Sequence, residues 1–281
     1  MTPSNALRRK VISHFMLFLT GLSSLLVLSV LFFILAYIVF HGISSFSPAF
    51  FTRLPKPVGE TGGGMAHAII GSVKLLAIAG AVGIPLGFIG GLYLSEYGKK
   101  NLVGFLVRYA ADLLNSIPSI VIGIFAYILI VVPMGHFSLL SGGIALGIML
   151  MPIMVRNSEE FLNLVPDSIR EAGLALGLPE WKMILFLVIP TASRGIVTGI
   201  MLGLARISGE TAPLLFTAFG NQYWNQSILE PVASLPVMIY TYAISPYEEW
   251  HQLAWTAGMV LLLLILGINI ISRWSFKRRM G

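Results

Sequence analysis

Apolar runs separated by short polar breaks make up most of this chain. The runs Phe15–Phe40, Ala66–Leu94, Phe105–Val132, Leu139–Val155, Met183–Gly209 and Ala254–Ile271 each have the length and composition to cross a bilayer. A spanning helix needs about 17–25 mostly apolar residues. None shows the strict alternation of a barrel strand, and lipid offers the backbone no hydrogen-bond partner, so each is predicted as a helix. A further apolar run, Ile228–Ile244, contains Pro231 and Pro236. Proline breaks a helix interior, so this run is predicted to be re-entrant or interfacial. Trp224, Tyr240, Tyr242, Tyr247, Trp250 and Trp255 in and around it suit a membrane interface.

The breaks between runs carry the charge, and its distribution predicts orientation. Arg8, Arg9 and Lys10, then Lys99, Lys100 and Arg108, then Arg156, Arg170 and Lys182, then Arg273, Lys277, Arg278 and Arg279 all fall on one side. The opposite side receives Arg53 and Lys56, and Thr211–Ala254 contains no Lys or Arg. Basic loops stay in the cytoplasm, so both termini are predicted there. A seventh span would carry the basic C-terminus outside. The first run continues from Val11 to Phe40, beyond the roughly 7–15 residues of a signal-peptide core, and is predicted to be a retained helix. The expected organisation is an N-terminal tail, helix and external loop over 1–65, a five-helix core over 66–272 with a cytoplasmic loop at 159–182, and a basic tail over 273–281. Glu60–Ala66, rich in glycine, reads as a turn entering the second helix.

Composition agrees. Of 281 residues, 56% are hydrophobic and 11% charged, and mean hydropathy is +0.86. A soluble domain carries about 25% charged residues. The fold class is therefore an all-α polytopic membrane protein. The absence of cysteine excludes disulfides and thiolate metal sites. The net charge of +6 lies in the loops assigned to the cytoplasm, so it reports topology and not nucleic-acid binding. There is no G-x-x-x-x-G-K-[ST] phosphate loop and no H-E-x-x-H motif. His14, His41, His67, His136 and His251 are dispersed, and no nucleophile–base cluster points to an enzyme.

The loop Glu159–Pro190 is the most informative stretch. Ser168-x-x-Glu171 fits a capping box at a helix start. Ile169, Ala172 and Leu176 then share a face, Gly177 fits the helix stop, and Pro179 suits the first position of a second helix. That second helix enters the fifth span, with Pro190 at its membrane entry. A helix–turn–helix tied to a span suits passing movement from a soluble partner into the membrane.

These residues resemble the "EAA" loop of ABC importer permeases. Glu171, Ala172, Gly177 and Pro190 match its pattern. Gly173 stands where the family has a second alanine, Leu187 where it has isoleucine and Ile189 where it has leucine. Gly173 should loosen the helix by up to about 1 kcal/mol relative to alanine. Leu113–Tyr127 and Arg206–Asn221 resemble phosphate-importer permeases of the PstA type. The resemblance implies the six-helix, type I (MetI-like) permease architecture of the bacterial inner membrane. It implies that Glu171, Ala172, Gly173 and Gly177 contact an ATPase or shape the turn that does. It further implies a second permease of the PstC type, an ATPase dimer of the PstB type holding ATP and Mg, and an external phosphate-binding protein of the PstS type. This chain itself would need no cofactor. Sulfate, molybdate and phosphonate remain alternative cargoes. A secondary transporter or channel acting alone would have no use for such a loop.

Ionisable residues inside spans are functional candidates. Arg206 and Glu210 stand four apart, as on one helix face. Counting from Pro190 at 1.5 Å per residue places Arg206 about 24 Å along the helix, past the middle of the membrane. Gly199, Gly203, Ala205, Ser208 and Gly209 beside it permit close packing. One reading is an anion path, in which Arg206 forks phosphate oxygens and Glu210 keeps it in place and prevents trapping. The other is an ion pair that never meets substrate. Arg108 and Asp112 form a second such pair, expected to be interfacial. Lys74 is expected near the outer surface. Asn115, Ser116 and Ser119, around Pro118, are candidates to line the path.

Overall fold

The computed structural model describes residues 3–60 and 62–277, with backbone only for 3–8, 11 and 271–277. The basic side chains of Arg8, Arg273 and Lys277 lie outside the described side chains, and Arg278 and Arg279 outside the described residues. Among the described residues there are helices and no strand.

Helices α1 (Pro3–Gly42) and α2 (Pro48–Thr52) precede α3 (Ala66–Glu96), α4 (Leu102–Ser116) and α5 (Ser119–Met134). Then come α6 (Leu139–Asn163), α7 (Asp167–Ala175), α8 (Glu180–Ile207), α9 (Ala212–Thr217), α10 (Leu235–Ala243) and α11 (Glu248–Lys277). Five stretches are long and apolar enough to cross a membrane: Ile12–Gly42, Ala66–Glu96, Leu139–Asn163, Glu180–Ile207 and Glu248–Ile270. The expected third span, Phe105–Val132, is not one rod. It is broken into α4 and α5, which meet at 103°. Pro118 causes the break, because the residue before a proline is pushed out of helical geometry. Ile117 accordingly sits at φ −71°, ψ 132°.

α6 is the central helix. Of its apolar window 67% is buried, against 0% for that of α1. Glycines let its neighbours approach. On α3, a Cβ at Gly87 would lie 2.4 Å from Met154 Cβ, and one at Gly91 would lie 2.5 Å from Ser158 Cβ. On α8, Gly195, Gly199 and Gly203 face Phe161, Asn157 and Leu150 of α6. Dispersion across such close backbones is what holds helices together in lipid. Leu75, Ala79, Leu146, Leu150, Met154 and Ile207 fill the space between.

Both α5 and α8 contain a π turn, Tyr127–Val131 and Ile184–Val188. Each ends two residues before a proline, Pro133 or Pro190. Proline lacks an N–H and collides with the carbonyl four residues back. Widening the preceding turn relieves the collision and lets the helix continue. Pro190 itself lies inside a continuous 28-residue helix that begins at Glu180.

The run Ile228–Ile244, predicted to be re-entrant or interfacial, forms no helix long enough to span. Pro231 precedes α10 and Pro236 sits in its first turn, where no donor is lost to the helix. α10 has nine residues, too few to span. Its Leu235, Val237 and Met238 are buried in protein. The segment before it caps the start of α6, and α3 in turn caps the start of α10. Leu139 and Leu140 N–H groups donate to Glu230 and Ile228 carbonyls at 2.8 and 2.9 Å, and the Leu235 N–H donates to Ser72 Oγ at 2.8 Å.

Candidate functional site

Two features of the chain lie at opposite ends of α8. At its start is the short helix α7, and at its finish is Arg206.

α7 begins after Pro166, which makes no side-chain cap bond. Ser168 is already inside the helix, so the expected capping box does not form. The buried face also differs from the expected one. Ile169 packs with Leu162, Val165, Met183 and Val188, and Gly173 is buried one turn later. A Cβ at Gly173 would lie 2.7 Å from Leu187 Cδ1 and 2.8 Å from Met183 Cγ. The glycine thus seats α7 on α8, a packing reason that propensity alone did not reveal. Ala172 and Leu176 face outward, with Leu176 82% exposed. Gly177 stops the helix as expected, at φ +78°. The Leu178 N–H reaches Gly173 O at 3.2 Å and the Gly177 N–H reaches Leu174 O at 2.9 Å, a Schellman closure. Pro179 caps α8 from just outside. Exposed Glu171, Leu174, Leu176 and Trp181 make a mixed acidic and apolar surface on this turn.

Arg170, next to Glu171, was not singled out by sequence reasoning. Its guanidinium meets the Glu96 carboxylate at 2.8 Å, with side chains 11% and 8% exposed. It also donates to Val165 O at 2.6 Å and Leu162 O at 3.0 Å. The Glu96 hydrogen bond raises the Arg170 pKa above its ordinary value. Glu96 lies 74 residues away in the chain, so no local spacing marks the pair.

Arg206 sits in the last turn of α8, where the helix dipole favours a cation. It is exposed, while Gly203 and Ile207 are buried. The helix stops at Ile207 and the chain turns through Ser208 and Gly209. Glu210 therefore lies beyond the helix and is half-buried. The shared helix face expected for Arg206 and Glu210 does not exist, and among the described residues no ion pair joins them. Asn115, Ser116 and Ser119 lie at the α4–α5 corner. Asn115 and Ser119 are half-buried, and the Ser116 hydroxyl donates back to Asp112 O at 2.8 Å. α5 reaches the turn after Glu210, where a Cβ at Gly123 would lie 2.6 Å from Pro213 Cα.

Arg108 and Asp112 do not pair with each other. Arg108 Nε meets Glu159 Oε1 at 2.5 Å, and its other nitrogens donate to Gly98 O and Leu94 O, both at 3.1 Å. Asp112 accepts from Arg156 Nε at 2.8 Å, and Arg156 Nη1 reaches Glu159 Oε2 at 3.1 Å. Two arginines and two carboxylates thus knit α4 to α6. Lys74 is half-buried and donates to Asn225 O at 2.9 Å, so it ties α3 to the segment before α10. Among the described residues no group of His, Asp and Glu is placed to hold a metal.

Residues 83–280 match the family described as the inner membrane component of binding-protein-dependent transport systems. The phosphate transport system permease protein PstA of Yersinia pestis is 46% identical over 86% of this chain and 82% of its own length. PstA of Haemophilus influenzae is 41% identical over 96% of both. Among solved structures, an inward-facing form of the MetNI methionine ABC transporter shares the fold, with a TM-score of 0.60. Its identity is 18%, over 77% of this chain and 94% of that one. A multi-pass helical bundle with a glycine-closed helical turn at one end and an arginine at the far end of the same helix thus meets relatives that cover nearly all of it: the chain belongs to the PstA branch of the binding-protein-dependent transport system inner membrane components.

Proposed function

We propose that this chain is the permease subunit of an ATP-driven importer and carries inorganic phosphate across the bacterial inner membrane. The observation that carries the mechanism is the exposed turn of α7, seated through Gly173 on the helix whose last turn holds Arg206. The relatives named as phosphate permeases support phosphate as cargo. In this reading the α7 end faces the cytoplasm. A PstB-type ATPase dimer, which holds ATP and Mg, docks on Glu171, Ala172, Leu174 and Leu176. A PstC-type permease lies beside this chain, and a PstS-type protein delivers phosphate at the α10 end. Hydrolysis belongs to the ATPase subunits, and this chain translocates.

The chemistry follows from the two ends of α8. Closure of the ATPases pushes α7 and with it α8. Arg206, exposed on the side not covered by α6, offers a planar fork to a tetrahedral oxyanion. Glu210 is close in sequence but unpaired with it, so Arg206 is available to the anion, and the nearby carboxylate keeps the site weak enough to release it. A single arginine does not select phosphate over sulfate or molybdate, so selectivity requires groups beyond this residue.

Labelled-phosphate uptake in proteoliposomes containing the partner subunits tests the reading, with arsenate, sulfate and molybdate as competitors. Uptake should require ATP and should be competed by arsenate. Uptake that survives ATP depletion while an ion gradient persists would sink it. Arg206→Gln should reduce uptake by about 100-fold in an assembled complex, as loss of one charge-assisted contact of about 3 kcal/mol. Normal uptake by that variant would leave Arg206 without a role in the path.

A further inference from the structure

We propose that the Arg170–Glu96 ion pair carries movement of α7 into α3, and that α3 relays it to the segment before α10 at the opposite end of the bundle. Both residues would then be positioning residues for transport. The inference rests on reading α7 as the element that an ATPase pushes.

The chain itself ties α7 to two helices. Residues 164–166 join it to α6, and residues 176–179 join it to α8. α3 has no such covalent tie. It reaches α7 through the Arg170 guanidinium, whose Nη2 and Nε lie 2.8 and 3.2 Å from Glu96 Oε1 and Oε2. Glu96 is the last residue of α3. The two-pronged geometry fixes orientation as well as distance. The same guanidinium donates to Leu162 O in the last turn of α6 and to Val165 O in the joint after it, so one group holds three elements. Both side chains are nearly closed off from water, so solvent neither screens the pair nor competes for it as at a surface.

The Gly173 contact, one turn along α7, is of another kind. It is an apolar seat made with Leu187 and Met183 side chains. Such a seat transmits compression but opens under tension, because dispersion falls off within about 1 Å of separation. An ion pair with a fixed fork holds in both directions. A cycle has an outward and a return stroke, and the return needs a contact that pulls.

α3 is suited to pass the stroke on. Its glycines lock it to α6 along their length, at Gly83, Gly87 and Gly91. Near its other end, Ser72 accepts from the Leu235 N–H and Lys74 donates to Asn225 O. A Cβ at Gly71 would lie 2.0 Å from Ala233 O, so the segment rests directly on the α3 backbone. A shift of α3 along its axis must therefore disturb the segment covering the far end.

The test uses the whole transporter with its ATPases in proteoliposomes. It reads phosphate taken up per ATP hydrolysed, and ATPase co-purification is measured alongside. Glu96→Gln should keep ATPase binding and hydrolysis and lower uptake per ATP by about fivefold or more, the low end for a coupling between sites. Arg170→Lys keeps the charge without the fork and should fall between wild type and Glu96→Gln. It carries the same ratio test if Glu96→Gln does not assemble. Because the chain has no cysteine, the double variant Glu96→Cys/Arg170→Cys can be bridged by a short bifunctional thiol reagent. Bridging should restore the ratio. An unchanged ratio in both single variants overturns the proposal. So does uptake that falls only in step with hydrolysis and ATPase binding, the mark of a merely structural pair, or arrest of transport by the bridge. If the unaltered transporter shows no ATP-dependent uptake, the importer reading itself has failed and takes the link with it.

Discussion

Glu159 shows how a single residue is paid for inside a membrane protein. It is 7% exposed and accepts from both Arg108 and Arg156. Removing one partner of a buried pair leaves charge uncompensated. Glu159→Gln should therefore destabilise the fold by about 3 kcal/mol, the low end for a buried pair, because Arg156 keeps contact with solvent. Thermal unfolding in detergent checks this, and an unchanged midpoint would show that the arginines find other partners. Gly91 is a second such position. A Cβ there would meet Ser158 Cβ and two backbone atoms of α6 within 2.9 Å. Gly91→Val should abolish the folded monomer in size-exclusion chromatography, whereas Gly209→Ala, with nothing within 4 Å, should elute as wild type. Gly177 was legible in the sequence because a left-handed stop is a local demand. The partners of Arg108 and Asp112 were not, because they lie 51 and 44 residues away and local spacing offered a false partner four residues off.

At the scale of elements, α7 is where propensity and packing disagree. Glycine weakens a helix by up to about 1 kcal/mol relative to alanine, yet Gly173 is where α7 touches α8. The atoms a Cβ would strike are all side-chain atoms, Leu187 Cδ1 and Met183 Cγ, and both side chains can shift by turning about χ1. Gly173→Ala should therefore keep uptake and raise the melting temperature slightly. Gly173→Leu is too large for that adjustment and should lift α7 from its seat, with uptake lost and the spans intact by circular dichroism. Equal uptake by both variants would show that the seat does not matter. Hydropathy placed the spans because lipid imposes a length on them. Pro118 was visible too, but a proline specifies a kink and not the 103° turn. That angle is set by α4 lying on α6 through Arg108 and Asp112 and by α5 meeting α9, and both are tertiary facts. Likewise the π turn before Pro190 has no signature in the apolar pattern.

At the scale of the whole molecule, the parity of crossings decides what each end can meet. Five spans plus the α4–α5 pair cross an even number of times if that pair counts as one passage. α10, at nine residues, adds none. Between the α7 turn and the loop before α10 the chain makes the single passage of α8, so the two fall on opposite faces, as an ATPase at one end and a binding protein at the other require. The basic clusters at the chain ends point the same way, since Lys and Arg collect on the cytoplasmic side. The absence of cysteine makes the point measurable. Leu176 is 82% exposed and Tyr223 is 73% exposed, so a thiol at either should react freely where reagent reaches it. In intact cells, a membrane-impermeant maleimide should label Tyr223→Cys and spare Leu176→Cys, and in inverted vesicles the order should reverse. Labelling of both from one side would mean that α8, the one candidate span between them among the described residues, does not cross. The α7 turn would then share a face with the loop before α10, and no single subunit arrangement could place an ATPase on the first and a binding protein on the second.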